Sequence, residues 1–220
     1  YTFASALKSS INYSHVPELV FDQLENFTVE LWVKTTATDG VLFAKQTKST
    51  KDISPGESAY ALRLVQGYPQ FNFTDSFNGN MQTMTGLARV NDDRFRHVAV
   101  IKDKATNLIK IFVDGNTEAA MPYTLSGPLG NNNADFVLGS INKSEEFFDG
   151  GIDEVRVYER ALSQPELDSH FHLNYSVVKG AETARGESWN CEVTPSDGIA
   201  AGVTRASRPL VIRNTEPMHD

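Results

Sequence analysis

The chain has 220 residues, about 40% of them hydrophobic, with 20 basic and 28 acidic side chains and a net charge of −8. That length suits one large domain, or one domain with a tail, and the apolar share is enough for a sizeable core. The acidic balance, with no basic run of five or six residues, excludes phosphate-backbone attraction as a driving force, so no nucleic-acid partner is expected.

Phe, Tyr and Val are plentiful and Ala-rich helical runs are absent, which leans towards β structure. Residues 27–35 (FTVELWVKT) alternate, with Phe27, Val29, Leu31 and Val33 on one face and Thr28, Glu30, Trp32 and Lys34 on the other. That is the pattern of a half-buried strand. Residues 40–46 form a second strand, followed by a polar loop with Lys48, Lys51, Asp52, Pro55 and Gly56. Residues 59–66, a turn at Gly67 and residues 68–73 predict a hairpin. Strands are also predicted over 81–90, 96–103 and 108–114. Asp114-Gly115 is a two-residue hairpin turn leading into 117–121. Residues 122–133 are rich in Pro, Gly and Asn and predict a loop. Strands at 135–140 and 151–158 complete the series.

One helix is predicted. Ser163-Gln164-Pro165-Glu166 is a capping box, and Pro165 is tolerated in a first turn, so a helix should run to about Phe171. After Asn174 the character changes. Residues 175–220 read as an extended tail, a linker or the start of a following module, with a strand somewhere in 203–213. The predicted fold class is all-β: a two-sheet antiparallel jelly-roll sandwich over 1–174 with one short helix near its C-terminal side. A doubly wound sheet would need a helix between most strands.

No apolar run approaches the roughly 18 residues of a membrane span, so no membrane insertion is expected. No signal-like apolar segment opens the chain, which begins at Tyr1 without Met, as in a processed protein or an excised segment. Cys191 is the sole cysteine, so an internal disulfide and a CxxC metal cluster are both excluded. It reads as an inert thiol, with pairing to another chain as the alternative.

Asp153 is the carboxylate that most needs explaining. Strict alternation puts it on the same face as Val155 and Val157, at the mouth of an apolar core. There a cation, a basic side chain or a cluster of backbone N–H groups could each satisfy it.

The strand FTVELWVKT (27–35), FRHVAVIKD (95–103), IKIFVDGN (109–116), FVLGS (136–140) and FDGGIDEVRVYERALSQPEL (148–167) occur in that order. Together they resemble the laminin G-like group of the concanavalin A-like lectin/glucanase superfamily, over roughly Ala4 to Phe171. One departure is visible, since Phe95 and Arg96 replace the first two residues of the group's usual Trp-His-His-Val-Ala. The resemblance implies a jelly roll that recognises a glycan or a cell-surface or extracellular protein. It also implies a secreted or cell-surface setting, and neighbouring modules in a larger chain. In several branches the Asp of the closing strand is a calcium ligand together with backbone carbonyls. Asp153 is the matching position, so a structural calcium ion is expected there, with Asp149 or Asp135 as possible helpers. The alternative is a structural Asp.

The same superfamily holds glucanases, which carry Glu-x-Asp-x-x-Glu on one strand. A retaining pair of carboxylates needs a separation of about 5–5.5 Å. No such motif occurs here: Glu145-Glu146-Phe147-Phe148-Asp149 has the wrong order, and both glutamate positions around Asp153 are replaced. HExxH, P-loop and GxSxG motifs are absent too, so no enzyme is expected.

Aromatic rings stack on sugar faces while polar neighbours fix hydroxyls. Trp32, Tyr60, Tyr68, Phe71 and Phe73 are candidates for such a wall, with Arg63, Gln70 and Asn72 beside them. Inter-sheet packing is the competing role for each aromatic. Asn131 and Asn132, in the 127–133 loop, and the loop 77–80 are candidate rim contacts. His97 reads as a structural histidine, and His170 and His172 as exposed polarity near a helix end. Five sequons occur, at Asn12, Asn26, Asn72, Asn142 and Asn174; Asn26 opens a strand, which leaves the other four as glycosylation candidates.

Overall fold

Alternating apolar residues build two six-stranded antiparallel sheets. A computed structural model describes residues 2–3, 9–13, 19–21, 26–46, 59–74, 81–124, 127–129, 134–141, 146–172, 185–190, 192–193 and 203–212. In chain order the strands are β1 (Thr2–Phe3), β2 (Ile11–Tyr13), β3 (Phe27–Lys34), β4 (Gly40–Lys45), β5 (Ala59–Val65) and β6 (Tyr68–Thr74). They continue with β7 (Gln82–Thr85), β8 (Arg96–Asp103), β9 (Leu108–Val113), β10 (Asn116–Pro122), β11 (Phe136–Leu138) and β12 (Gly150–Tyr158), and α1 (Gln164–Phe171) follows. One sheet, here the back sheet, has the order β1-β12-β3-β8-β9-β10. The other, the front sheet, has the order β2-β11-β4-β5-β6-β7.

The core lies between the sheets. Val29, Leu31 and Val33 of β3 and Val98 and Val100 of β8 meet Phe43, Tyr60, Leu62, Phe71 and Phe73 from the front sheet. Phe21 stacks on Phe27 with centroids 4.3 Å apart. These side chains are almost fully buried, and their removal from water is the main favourable term in folding.

Two hairpins follow from turn chemistry. Gln66-Gly67 and Asp114-Gly115 both carry positive φ at the two central residues (53° and 84°, 49° and 77°). That twist matches the strands it joins, and glycine takes it without steric cost. Asp114 is pinned as well: its Oδ1 accepts from His97 N at 2.9 Å, and its Oδ2 pairs with Arg96 at 2.6 Å.

The helix begins where the capping box predicts. Glu166 reaches back, and its Oε2 accepts from both N and Oγ of Ser163 at 2.7 Å. Leu162 and Leu167 then pack on Ala99, Ile101 and Phe112, so α1 covers part of the outer face of the back sheet.

The closing strand departs from strict alternation. In β12, Asp153 pairs with Trp32 and Arg156 with Glu30, so two residues of β12 oppose one of β3. This is a β-bulge, with Glu154 at φ 49°. It flips the parity of the strand. Val155 and Val157 pack against the inter-sheet core, whereas Asp153 shares the outer face with Trp32 and is exposed. The expectation that Asp153 shares the valine face is therefore corrected.

The chain divides into two compact units, Tyr1–His172 and Leu173–Asp220. The second holds β13 (Ser188–Trp189), β14 (Glu192–Val193), β15 (Arg205–Ala206) and β16 (Leu210–Val211). Strand β13 pairs with β16 and β14 with β15, so the strand expected within 203–213 is two short ones. Trp189, Leu210 and Val211 are exposed. Among the described residues, no helix is long and apolar enough to cross a membrane. Cys191 lies outside the described residues.

Candidate functional site

The two outer faces differ. On the back sheet, α1 closes over a buried charge cluster. Glu30 of β3 is fully buried, and its carboxylate meets groups from three other elements. His97 Nε2 sits 3.2 Å from Oε2, His170 Nδ1 lies 2.9 Å from Oε1, and Tyr158 Oη donates to Oε1 at 3.1 Å. Arg156 Nη1 is 3.5 Å from Oε1. Burial alone would raise the Glu30 carboxyl; hydrogen bonds and positive charge from His97 and His170 outweigh it and hold the pKa down at about 2. His97 is a structural histidine, as expected. His170, read from the sequence as exposed polarity, is instead mostly buried at 12% side-chain exposure and ties the helix end to Glu30. Trp32 also belongs here, with its ring 5.3 Å from His97 and 6.0 Å from Phe171.

The front sheet presents a different outer face. Because Leu62 and Leu64, Phe71 and Phe73, and Met84 point into the core, the residues between them point out. Register then sets Arg63 beside Gln70, and Gln70 beside Thr85. One step along, Ala61 sits beside Asn72, and Asn72 beside Thr83. Gln70 Nε2 donates to Thr85 Oγ1 at 3.0 Å, and Asn72 Nδ2 donates to Thr83 Oγ1 at 2.7 Å. Arg63 pairs with Glu146 at 2.6 Å. Glu146 is anchored by its own carbonyl, which accepts from Val41 N at 3.0 Å. Tyr68 is half-buried on this face, with the Arg89 guanidinium 5.1 Å from its ring centroid.

The structure thus brings Arg63, Tyr68 and Gln70 together. Tyr60 does not join them. It is 1% exposed, points between the sheets and donates its hydroxyl to Leu19 O at 2.8 Å. Burial pushes its phenol well above the usual range. Phe71 and Phe73 are core residues as well. Asn131 and Asn132 lie outside the described residues, as does the loop 77–80. Thr83, Thr85, Arg89 and Glu146 were not singled out by sequence reasoning. The one legible signal was the lone apolar Met84 in Gln-Thr-Met-Thr, which marks Thr83 and Thr85 as outward. Tyr60→Phe should lower stability by about 1 kcal/mol, the worth of one buried hydrogen bond. It should leave ligand affinity unchanged; a large affinity loss in a folded variant would return Tyr60 to the site.

Among the sequons, Asn12 is exposed and its Nδ2 donates to Asp135 Oδ2 at 3.3 Å. Asn72 is 3% exposed, with its amide nitrogen bonded to Thr83. A glycosylation site needs an accessible amide, so Asn72 is withdrawn as a candidate. Asn26 accepts from Lys104 N. Asn142 and Asn174 lie outside the described residues.

Calcium takes six to eight oxygen ligands. Asp153 Oδ1 already accepts from Glu154 N at 2.9 Å. Asp149 is exposed and its carbonyl accepts from Thr35 Oγ1, while Asp135 sits beside Asn12 at the front sheet. Among the described residues, no three His, Cys, Asp or Glu side chains gather in a way that could hold a metal ion.

A laminin G family model of the concanavalin A-like lectin/glucanases superfamily matches residues 8–168, and the chain belongs to that family. No curated protein sequence matches it. Among solved structures, the fold is similar to the binding domain of botulinum neurotoxin serotype G (TM-score 0.58, 13% identity). That match covers 76% of this chain and 41% of the toxin domain. It is also similar to domains LG4-5 of the mouse laminin α1 chain (TM-score 0.53, 15% identity, 71% of this chain and 41% of that one). The CBM40 module of the Ruminococcus gnavus IT-sialidase is a third (TM-score 0.51, 18% identity, 74% of this chain and 98% of the module). At these identities the likeness is one of fold. The chain spans less than half the length of the toxin and laminin structures.

Proposed function

We propose that this chain is a non-catalytic recognition module of an extracellular protein, and that it binds a glycan on the outer face of the front sheet. One observation carries the reading. Part of the outer face of the back sheet is covered by α1, whereas the front face leaves Arg89 and Thr85 exposed beside the half-buried Tyr68 and the Gln70–Thr85 amide–hydroxyl pair. Sugar recognition combines these groups: a ring for the apolar face of the sugar and a few fixed polar groups for its hydroxyls. The company of similar folds supports it. One is a toxin binding domain, and the CBM40 module has been seen bound to α2,3 sialyllactose.

A glycan array probed with the full chain tests this. A defined subset of glycans should give signal, and Gln70→Ala should weaken binding by about tenfold, the worth of one ligand hydrogen bond. An empty array with folded protein would overturn the reading in favour of a module that contacts protein partners only.

We propose separately that Asp153 anchors a structural calcium ion, with carbonyl oxygens completing the shell. Melting curves should show a higher Tm in calcium than in chelator, since an ion that binds only the folded state raises Tm, and coincident curves would remove the site. A calcium-dependent rise lost in Asp153→Ala would establish the site.

A further inference from the structure

We infer that the glycan taken by the front face is an acidic one, whose carboxylate or sulfate lies against Arg89 and Arg63 beside Tyr68. The inference rests on the glycan-binding reading above. Arg89 is exposed, and among the described residues no carboxylate pairs with it. Its stacking on the Tyr68 ring at 5.1 Å holds the planar guanidinium on the site face and leaves its N–H edge for a ligand. Tyr68 pairs with Val65 and Arg63 with Gln70, so Arg63 is the diagonal neighbour of Tyr68 on that face. Diagonal neighbours are about 7–8 Å apart, within reach of long side chains. The Arg89 guanidinium thus lies on the ring, and Arg63 shares that face on the neighbouring strand.

The state of Arg63 is a second observation. Its Nη1 already holds a carboxylate oxygen, that of Glu146 at 2.6 Å. Its Nε, by contrast, is buried without a hydrogen-bond partner, and so is the Oδ1 of the neighbouring Asn72. A guanidinium carries five N–H donors, so one carboxylate contact leaves capacity for another anion or for exchange. Glu146 thus marks where an anion fits and also competes with it. A neutral sugar would meet Tyr68, Gln70 and Thr85. An acidic sugar would add charge-assisted hydrogen bonds to the two arginines, and these are roughly twice as strong as neutral ones. In a chain of net charge −8, the Arg89 cation also offsets general repulsion of an anionic ligand.

Calorimetric titration of the full chain with lactose, 3′-sialyllactose and lactose 3′-sulfate tests the inference. At 50 mM salt at least one acidic sugar should bind about tenfold or more tighter than lactose, and the gap should shrink at 500 mM salt. The two acidic arms separate carboxylate from sulfate. Arg89→Gln should bring the acidic sugars down towards the lactose level, with Arg89→Lys in between, and Glu146→Gln should widen the gap. Equal affinity for all three sugars would overturn the acidic inference and leave the glycan reading standing. No binding by any of the three would leave the glycan reading to stand or fall on the array and would overturn the acidic inference for these sugars. An acidic glutamate peptide that binds as well as the acidic sugars would also overturn it, because charge alone would then account for the preference.

Discussion

Replacing Glu30 with Ala is expected to cost about 3–5 kcal/mol of folding stability. The loss arises from the partners left behind. His97, His170, Tyr158 and Arg156 all face a carboxylate that is fully buried, and removing it leaves buried donors and the positive charge around it without a partner. Because His170 lies on α1, the C-terminal turn of the helix should loosen with it. Glu30→Gln isolates the charge. The carboxyl titrates at about 2 in the folded chain against an ordinary 4.5. A depressed carboxyl stabilises the fold above its unfolded value, and the stabilisation is lost as pH falls from about 4.5 towards 2. At about 1.4 kcal/mol per pKa unit the difference is roughly 3 kcal/mol. Urea midpoints measured from pH 7 to pH 2.5 should therefore fall more steeply in the native chain than in Glu30→Gln. Parallel profiles would show that the cluster does not depend on the ionised carboxylate.

Phe27→Ala should be of similar size, about 3–5 kcal/mol, through a different mechanism. Phe27 is 1% exposed, stacks on Phe21 at 4.3 Å and leans on Phe71 at 6.4 Å. Truncation would remove ring burial and open a cavity bordered by both sheets. Collapse into that space is opposed because the backbones on either side are fixed in their ladders. Denaturant unfolding of the variant should show a much lower midpoint with an unchanged slope. A loss below 1 kcal/mol would mean that the rings repack freely.

The fold was largely legible because strands such as β3 set large apolar residues on alternate positions, even though β3, β4 and β8 bury nearly all of both faces. β8 spans 96–103 as predicted, and α1 follows its capping box. β1 and β2 were not legible: two or three residues are too short for a period, and their pairing depends on β12 and β11. Part of the site could be read in advance. Tyr68, Gln70 and Arg63 share a face through simple parity. Tyr60 was misjudged although the same parity applies, because Tyr60, Leu62 and Leu64 are the bulky side of β5 and the bulky side faces inward. His170 could not be placed without knowing how α1 docks. Asp153 was misplaced for a single reason: alternation was extended through the bulge that reverses it.

That reversal means β12 carries one residue more than its partner needs. Without Glu154, Asp153, Val155 and Arg156 would fall opposite Trp32, Leu31 and Glu30 in an uninterrupted ladder. Ile152, Val155 and Val157 would all keep their places in the sandwich interior, and Arg156 and Tyr158 would still reach Glu30. Strand β12 therefore has a spare link at this position. Losing Val157 instead would bring Tyr158 round to the inside and take its hydroxyl away from the buried carboxylate. A shortened chain can absorb one deletion at Glu154, but a deletion three residues further on would turn the end of the ribbon inside out.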